Sequence, residues 1–241
     1  EITTRLVGSE MCIRDRKISA NCPGNCSEVM KMRQNFWQES WKAVNRDRIA
    51  EYGKAISPAP DKIIGILQNH HAKTVCDAGC GCGIYAAKLL ASGFAVDGFD
   101  LSTDAIEIAR EHAPAARLKT AEVCCTGYPS GCFDAVVCRD VLDHIGKQDA
   151  ELAIPELLRI LKPGGILIAT LDAPDEEYCR EPHAVNADGD FVYTGGKWAG
   201  MVFHPYSREE IMQIIPLSVR REIMEDGDGF LVVLYRGNPD K

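Results

Sequence analysis

From residue 74 to residue 171 the chain alternates short apolar runs with amphipathic stretches, and this alternation constrains the fold more than any other feature. Thr74-Val-Cys-Asp77, Phe94 to Phe99, Arg117 to Glu122, Phe133 to Cys138 and Ile166 to Thr170 have the length and apolar content of strands. Ile84 to Ser92, Ser102 to Glu111 and Gln148 to Leu161 show the recurrence of helices, with Ser102 as an N-cap. Strands separated by helices need crossovers, which lay them parallel in a doubly wound α/β sheet. Further on, a helix at Ser207 to Ile215 precedes strands near Val219 to Met224 and Phe230 to Arg236. With no helix between those last two strands, they should pair antiparallel.

Around this core the pattern changes. A helical arm is predicted before it, from 27 to 56, ended by Ser57-Pro-Ala-Pro60, and a short helix from Asp61 to Asn69 leads into the first strand. The arm spans 19–60 and the main domain 61–241. Residues 172–206 form a polar insertion in which Asp190 to Tyr193 and Lys197 to Phe203 flank Thr194-Gly-Gly196, predicting a hairpin that covers the site as a lid. The stretch Val7 to Arg16 resembles translated sequencing-adapter read-through, so residues 1–18 are treated as a candidate artefact and left out of the fold reading.

Charge and cysteine content narrow the function. With 27 basic and 35 acidic residues the net charge is -8, which repels phosphate backbones and anionic membranes. No apolar run approaches the ~20 residues that span a bilayer, and no secretory pattern opens the chain, so a cytoplasmic location is expected. The 11 cysteines are an odd number in a well-cored chain, which favours reduced thiols. Cys22 and Cys26, the vicinal Cys124-Cys125, Cys132 and Cys179 invite a metal or metalloid reading, but none makes a four-ligand zinc pattern. Cys76 and Cys138 fall on core strands as small buried hydrophobes.

The functional signal is Asp77-Ala-Gly79-Cys80-Gly81-Cys-Gly83, which follows the first strand and opens a helix. Glycines let a backbone turn tightly against a ligand near the switch point of such a sheet. Gly81-Cys-Gly83-Ile-Tyr-Ala86 formally fits a dinucleotide fingerprint. Asp77, however, would stand where a diphosphate must pass, and like charges repel. A cationic sulfonium with an ammonium group suits it better.

These residues resemble the first motif of the class I S-adenosylmethionine-dependent methyltransferases, [ED]-x-G-x-G-x-G, and the likeness extends over about residues 60 to 171. It implies a Rossmann-like, seven-stranded, mostly parallel sheet whose last strand is antiparallel, with S-adenosylmethionine as cofactor. By the same resemblance Asp77, Gly79, Cys80, Gly81 and Gly83 hold the methionine part, Asp100 the ribose, Leu101 the adenine and Glu122 its amino group, with Val123 of the Ala121-Glu-Val123 match also at the cofactor. Arg139, Asp140 and Val141, after the fourth strand, face the cofactor or acceptor. Leu158 to Ile168, with its Lys-Pro-Gly-Gly turn, is similar to the helix and fifth strand of that fold.

For proton handling the leading candidates are Asp140 and His204; Asp143 beside His144 is a further carboxylate–imidazole pair in the same turn, with His144 read as structural, and His183 is a weaker option. Trp37 and Trp41 either close the pocket or pack on the core. The expected partner is a small-molecule acceptor, with nucleic acid disfavoured and no metal assigned. A tRNA methyltransferase, a non-catalytic S-adenosylmethionine-binding module and an NAD-dependent oxidoreductase are the alternatives.

Overall fold

The computed structural model of the protein describes residues 36–44, 49, 61–172, 176–227 and 229–237. Residues 1–35, most of 45–60 and 173–175 lie outside them. The candidate artefact, Cys22, Cys26 and much of the predicted arm therefore fall outside too.

α1 (Lys62–Asn69) begins at Asp61, whose Oδ1 accepts from the amides of Ile63 and Ile64. Next come β1 (Thr74–Ala78), α2 (Ile84–Ala91), β2 (Ala95–Asp100), α3 (Thr103–His112) and β3 (Arg117–Thr120). They are followed by β4 (Phe133–Arg139), α4 (Lys147–Ile160) and β5 (Leu161–Leu171). Ser102 caps α3 by accepting from the amide of Ala105 at 3.2 Å. After the insertion, α6 (Arg208–Ile214) starts with a reciprocal capping box between Ser207 and Glu210. β9 (Arg220–Asp226) and β10 (Gly229–Tyr235) end the described fold.

The main sheet has seven strands in the order β3-β2-β1-β4-β5-β10-β9. β1 to β5 pair in parallel, whereas β10 runs antiparallel to both β5 and β9. Strand order reverses between β1 and β4, so a crevice opens beyond their carboxyl ends. Gly83, at φ +78, starts α2, and a Cβ there would come within 2.8 Å of Ala109 Cα, which lets α2 lie close against α3.

Two buried layers flank the sheet, and strand alternation sorts residues between them. Cys76, Val136, Cys138, Leu167 and Ala169 pack with Ile154, Leu157 and Ile160 of α4 and Ile211 and Ile214 of α6. Val75, Ala135, Val137, Ile166 and Ile168 pack on the other face with Ile63 and Leu67 of α1 and Tyr85, Ala86 and Leu89 of α2. Cys76 and Cys138 are thus core residues.

Two expectations need adjustment. β5 begins at Leu161 and carries Lys162-Pro-Gly-Gly165 within it, with a register shift against β4 between Phe133 and Ala135. Gly164 and Gly165 are held by reciprocal backbone hydrogen bonds with Arg236, so a segment read as a turn is drawn into the sheet. The insertion is a three-stranded sheet of β6 (His183–Val185), β7 (Phe191–Tyr193) and β8 (Val202–Phe203), preceded by the short α5 (Glu176–Arg180). Its second arm is shorter than predicted. Residues 196–198 form a 3-10 turn from which Trp198 stacks on Tyr178 at 4.5 Å.

Asp134 ties the amino ends of β1, β4 and β5 together. Its Oδ2 accepts from the amides of Lys73 and Thr74 and from the Thr74 hydroxyl, while Lys162 Nζ donates to Oδ1. Burial alone would raise its pKa, but the hydrogen bonds from Lys162, Thr74 and Lys73 outweigh that and hold it well below the usual carboxylate range. A carboxylate depressed on folding stabilises above its unfolded pKa and loses that contribution as pH falls through the folded one. Asp134→Ala is expected to lower the unfolding free energy by ~1–3 kcal/mol at neutral pH, with the difference shrinking below about pH 4, as read by urea denaturation.

Candidate active site

At the switch point the glycine loop bonds back into the protein. Gly79 N and Cys80 N both donate to Phe99 O, at 2.8 and 2.9 Å, and Gly83 N donates to Cys80 O at 2.9 Å. Gly81 N donates to Asp100 Oδ2 at 2.9 Å, and Ser102 N donates to Asp100 Oδ1 at the same distance. Asp100 therefore ties the loop to the carboxyl end of β2. Burial raises its pKa, while the amides of Ser102 and Gly81 work in the opposite direction.

Beside the loop lies a cavity of about 220 Å³. It is lined by Gly79, Gly81, Phe99, Asp100, Leu101, Ala121, Glu122 and Val123 of the loop and the ends of the first strands, together with Trp37, Trp41, Arg139, Asp140, Val141, His144 and Ile145. The helical stretch 36–42 bears on the site through Trp37 and Trp41, and Gln38 Oε1 accepts from Thr103 N at 3.3 Å. Gly81, at φ +50, must be glycine on two counts: its backbone is left-handed, and a Cβ would stand 2.8 Å from the Trp41 ring.

Asp77, at the end of β1, is not itself a lining residue. It is 2% exposed, and its Oδ2 has no hydrogen-bond partner among the described residues. Burial pushes its pKa up to about 7; Arg139 pulls it down and Asp100 adds to the rise. Arg139 stacks over the Tyr85 ring at 4.3 Å and stands 3.9 Å from Asp140 Oδ2. Asp140 adopts φ +54, a conformation that costs a non-glycine residue ~1–3 kcal/mol and tends to occur at functional sites.

His204 sits elsewhere. It is 1% exposed, its Nδ1 lies 2.8 Å from Asp190 Oδ1, and its Nε2 lies 3.4 Å from Glu210 Oε1. Asp190 also accepts from Lys147 N and from Asn186 Nδ2. This group joins the insertion to the start of α4 and to α6, and His204 is not among the cavity-lining residues. His183 stacks on Phe191 within the insertion, also away from the cavity.

His144, read from sequence as structural, does line the cavity. Burial lowers its pKa to about 4, against the pull of Asp140, so the ring is neutral near pH 7. Its Nδ1 is buried without a hydrogen-bond partner among the described residues, and its ring packs edge-on to Trp37 and Phe203. The vicinal Asp143-His144 gave the pair's presence but not which member faces inward. Asp143 is buried with its Oδ2 accepting from Asp172 N, and burial raises its pKa well above the carboxylate range. Cys124 and Cys125 are half-buried, Cys132 is partly covered, and among the described residues no three His, Cys, Asp or Glu side chains are grouped to hold a metal ion.

Sheet order, glycine loop and acid-ended β2 together make a doubly wound α/β domain with a crevice at its switch point. Residues 76–169 match the family described as a methyltransferase domain. A ubiquinone biosynthesis O-methyltransferase of Nitrosomonas europaea is 34% identical over 125 residues, 49% of this chain and 51% of the relative. A second enzyme of that name, from Hydrogenovibrio crunogenus, is 28% identical over 165 residues, covering 65% of this chain and 64% of its own. The chain spans about half the length of the first of these relatives.

Solved structures share the fold. A Pyrococcus horikoshii protein superposes with TM-score 0.63 at 20% identity, covering 83% of this chain and 99% of that one. A Burkholderia thailandensis 1,6-didemethyltoxoflavin-N1-methyltransferase, solved with S-adenosylhomocysteine, gives TM-score 0.60 at 17% identity, covering 91% and 94%.

The position of His204 leads to a separable outcome. His204→Ala leaves Asp190 short of a buried donor and is expected to cost roughly 1–3 kcal/mol of stability in chemical denaturation. S-adenosylhomocysteine affinity, measured by calorimetry, should change by less than about 3-fold, because the His204 side chain does not line the cavity and its removal leaves the backbone bond to Asp143 in place.

Proposed function

We propose that this chain binds S-adenosylmethionine in the cavity beside the glycine loop and transfers its methyl group to an oxygen, nitrogen or sulfur atom of a small molecule in the cytoplasm. The observation that carries the reading is the inward bonding of the loop. The amides of Gly79, Cys80, Gly81 and Gly83 all donate to protein acceptors. The charged side chains lining the cavity are Asp100, Glu122 and Asp140 against Arg139, with neutral His144 beside them. Engaged amides and surrounding carboxylates offer little to a diphosphate, whereas a sulfonium bearing an ammonium group is attracted. The orphaned Oδ2 of Asp77 fits the same cation.

In this reading Asp77 answers the ammonium, and Arg139 offers the cofactor's carboxylate a cation. Asp100 takes the ribose hydroxyls with the lone pairs its two amide bonds leave over. Leu101 and Val123 flank the adenine and Glu122 accepts from its amino group, while Gly79, Cys80, Gly81 and Gly83 shape the loop. The cofactor supplies an electrophilic methyl on a positively charged sulfur. The protein's task is to orient the acceptor and exclude water. Trp37, Trp41 and Ile145 supply apolar wall, His144 Nδ1 positions the acceptor's heteroatom, and Asp140 receives the proton of a hydroxyl or ammonium acceptor. His204 is reassigned to holding the insertion in place.

The net charge of -8 counts against a tRNA acceptor. The names of the curated relatives put hydroxylated small molecules first among acceptors to test. With methyl-labelled cofactor, one such acceptor should gain label. Cofactor binding without product from any acceptor would instead indicate a binding module, and stabilisation by NADH but not by S-adenosylmethionine would sink the proposal.

A pH effect follows from Asp77. A carboxyl whose folded pKa is raised favours the unliganded fold at low pH and loses that contribution as pH rises toward 7. A bound cation draws the proton off. S-adenosylhomocysteine affinity should therefore rise between about pH 6 and 8, with proton release visible as a buffer-dependent heat in calorimetry. Asp77→Asn should flatten that dependence and weaken binding ~10- to 100-fold.

A further inference from the structure

Consecutive side chains on a strand point to opposite faces. Arg139, the last residue of β4, follows Val137 onto the α2 face of the sheet, as its contact with Tyr85 shows. Asp140 should then face α4, yet it lines the same cavity as Arg139. The left-handed turn at Asp140 is what brings it back.

One side chain holds that turn. Thr170 is the register partner of Arg139 across β4 and β5, on the face shared with Ile166 and Ile168. Its hydroxyl accepts from Asp140 N at 3.1 Å and donates to Asp140 Oδ1. A single oxygen thereby fixes both the backbone and the carboxylate of one residue, leaving Oδ2 on the side of Arg139. Thr170 interrupts the apolar run Ile166-Leu-Ile-Ala169, where valine would suit the strand equally well and has the same branched shape. The strand itself has no need of a hydroxyl at this position, but Asp140 does.

We propose that Thr170 is a positioning residue for methyl transfer: its hydroxyl locks the turn at Asp140 so that the carboxylate faces the acceptor. This rests on the methyltransferase reading given above. Thr170 is not a cavity-lining residue, so it acts through Asp140 and leaves the cofactor half of the site untouched.

Thr170→Val and Thr170→Ser separate hydroxyl from shape. In the valine variant, hydrogen exchange of the Asp140 amide should speed up ~10-fold or more, since its acceptor is gone. With an acceptor that the wild-type protein methylates, kcat should fall ~10- to 100-fold, while the affinity for S-adenosylhomocysteine stays within about 2-fold. Serine should restore both the exchange protection and most of kcat. In an Asp140→Asn background, adding Thr170→Val should cost little more, because the two residues act as one unit.

Unchanged Asp140 exchange in Thr170→Val, a kcat held within about 2-fold, or a serine variant as impaired as the valine one would each overturn the proposal. A wild-type protein that neither binds S-adenosylhomocysteine nor methylates any acceptor counts against the methyltransferase reading instead, since the exchange comparison needs neither ligand.

Discussion

The site depends on one carboxylate accepting two backbone amides. Asp100 joins Gly81 of the glycine loop to Ser102 at the start of α3, so the ends of β1 and β2 and the approaches to two helices are fixed relative to one another. A buried carboxylate is costly unless its lone pairs are used. Here the two amides offset part of that cost, and the same residue still presents its edge to the cavity. With the loop fixed to Asp100 and to Phe99 O, its backbone is set before any ligand arrives. Pre-set backbone reduces the ordering needed on binding.

Much of this could be read in the sequence because it is local. The alternation from Thr74 to Leu171 has a period that backbone geometry imposes, and Ser102 and Ser207 carry the chemistry of helix starts. Asp77 and Asp100 stand at strand ends because that is where a parallel sheet opens. The antiparallel pairing of β10 with β9 followed from the absence of a helix between them.

What could not be read depends on contacts between distant parts of the chain. Nothing near Lys162-Pro-Gly-Gly165 reveals that Arg236, some seventy residues on, completes a strand through it. His204 reads in sequence as a proton-handling candidate within reach of the acceptor, but Asp190 and Glu210 lie against its ring in the protein's interior. His144 reads as structural although it lines the cavity, since two adjacent side chains after a strand cannot be assigned a direction without knowing the local turn. Asp140 poses the same problem in sharper form: its direction is decided by a left-handed backbone that its residue type only weakly suggests.

The turn after β4 is also bound to the insertion. His204 N donates to Asp143 O at 2.7 Å, and Asp143 Oδ2 accepts from Asp172 N. By contrast, the loop at Gly79 to Gly83 is secured by Phe99, Cys80 and Asp100, all within the first two β-α units. The molecule thus contains two fastening systems that share few members. Parts of the insertion can therefore be exchanged without reopening the loop at Gly79 to Gly83, and tolerance to drift should differ accordingly between the two.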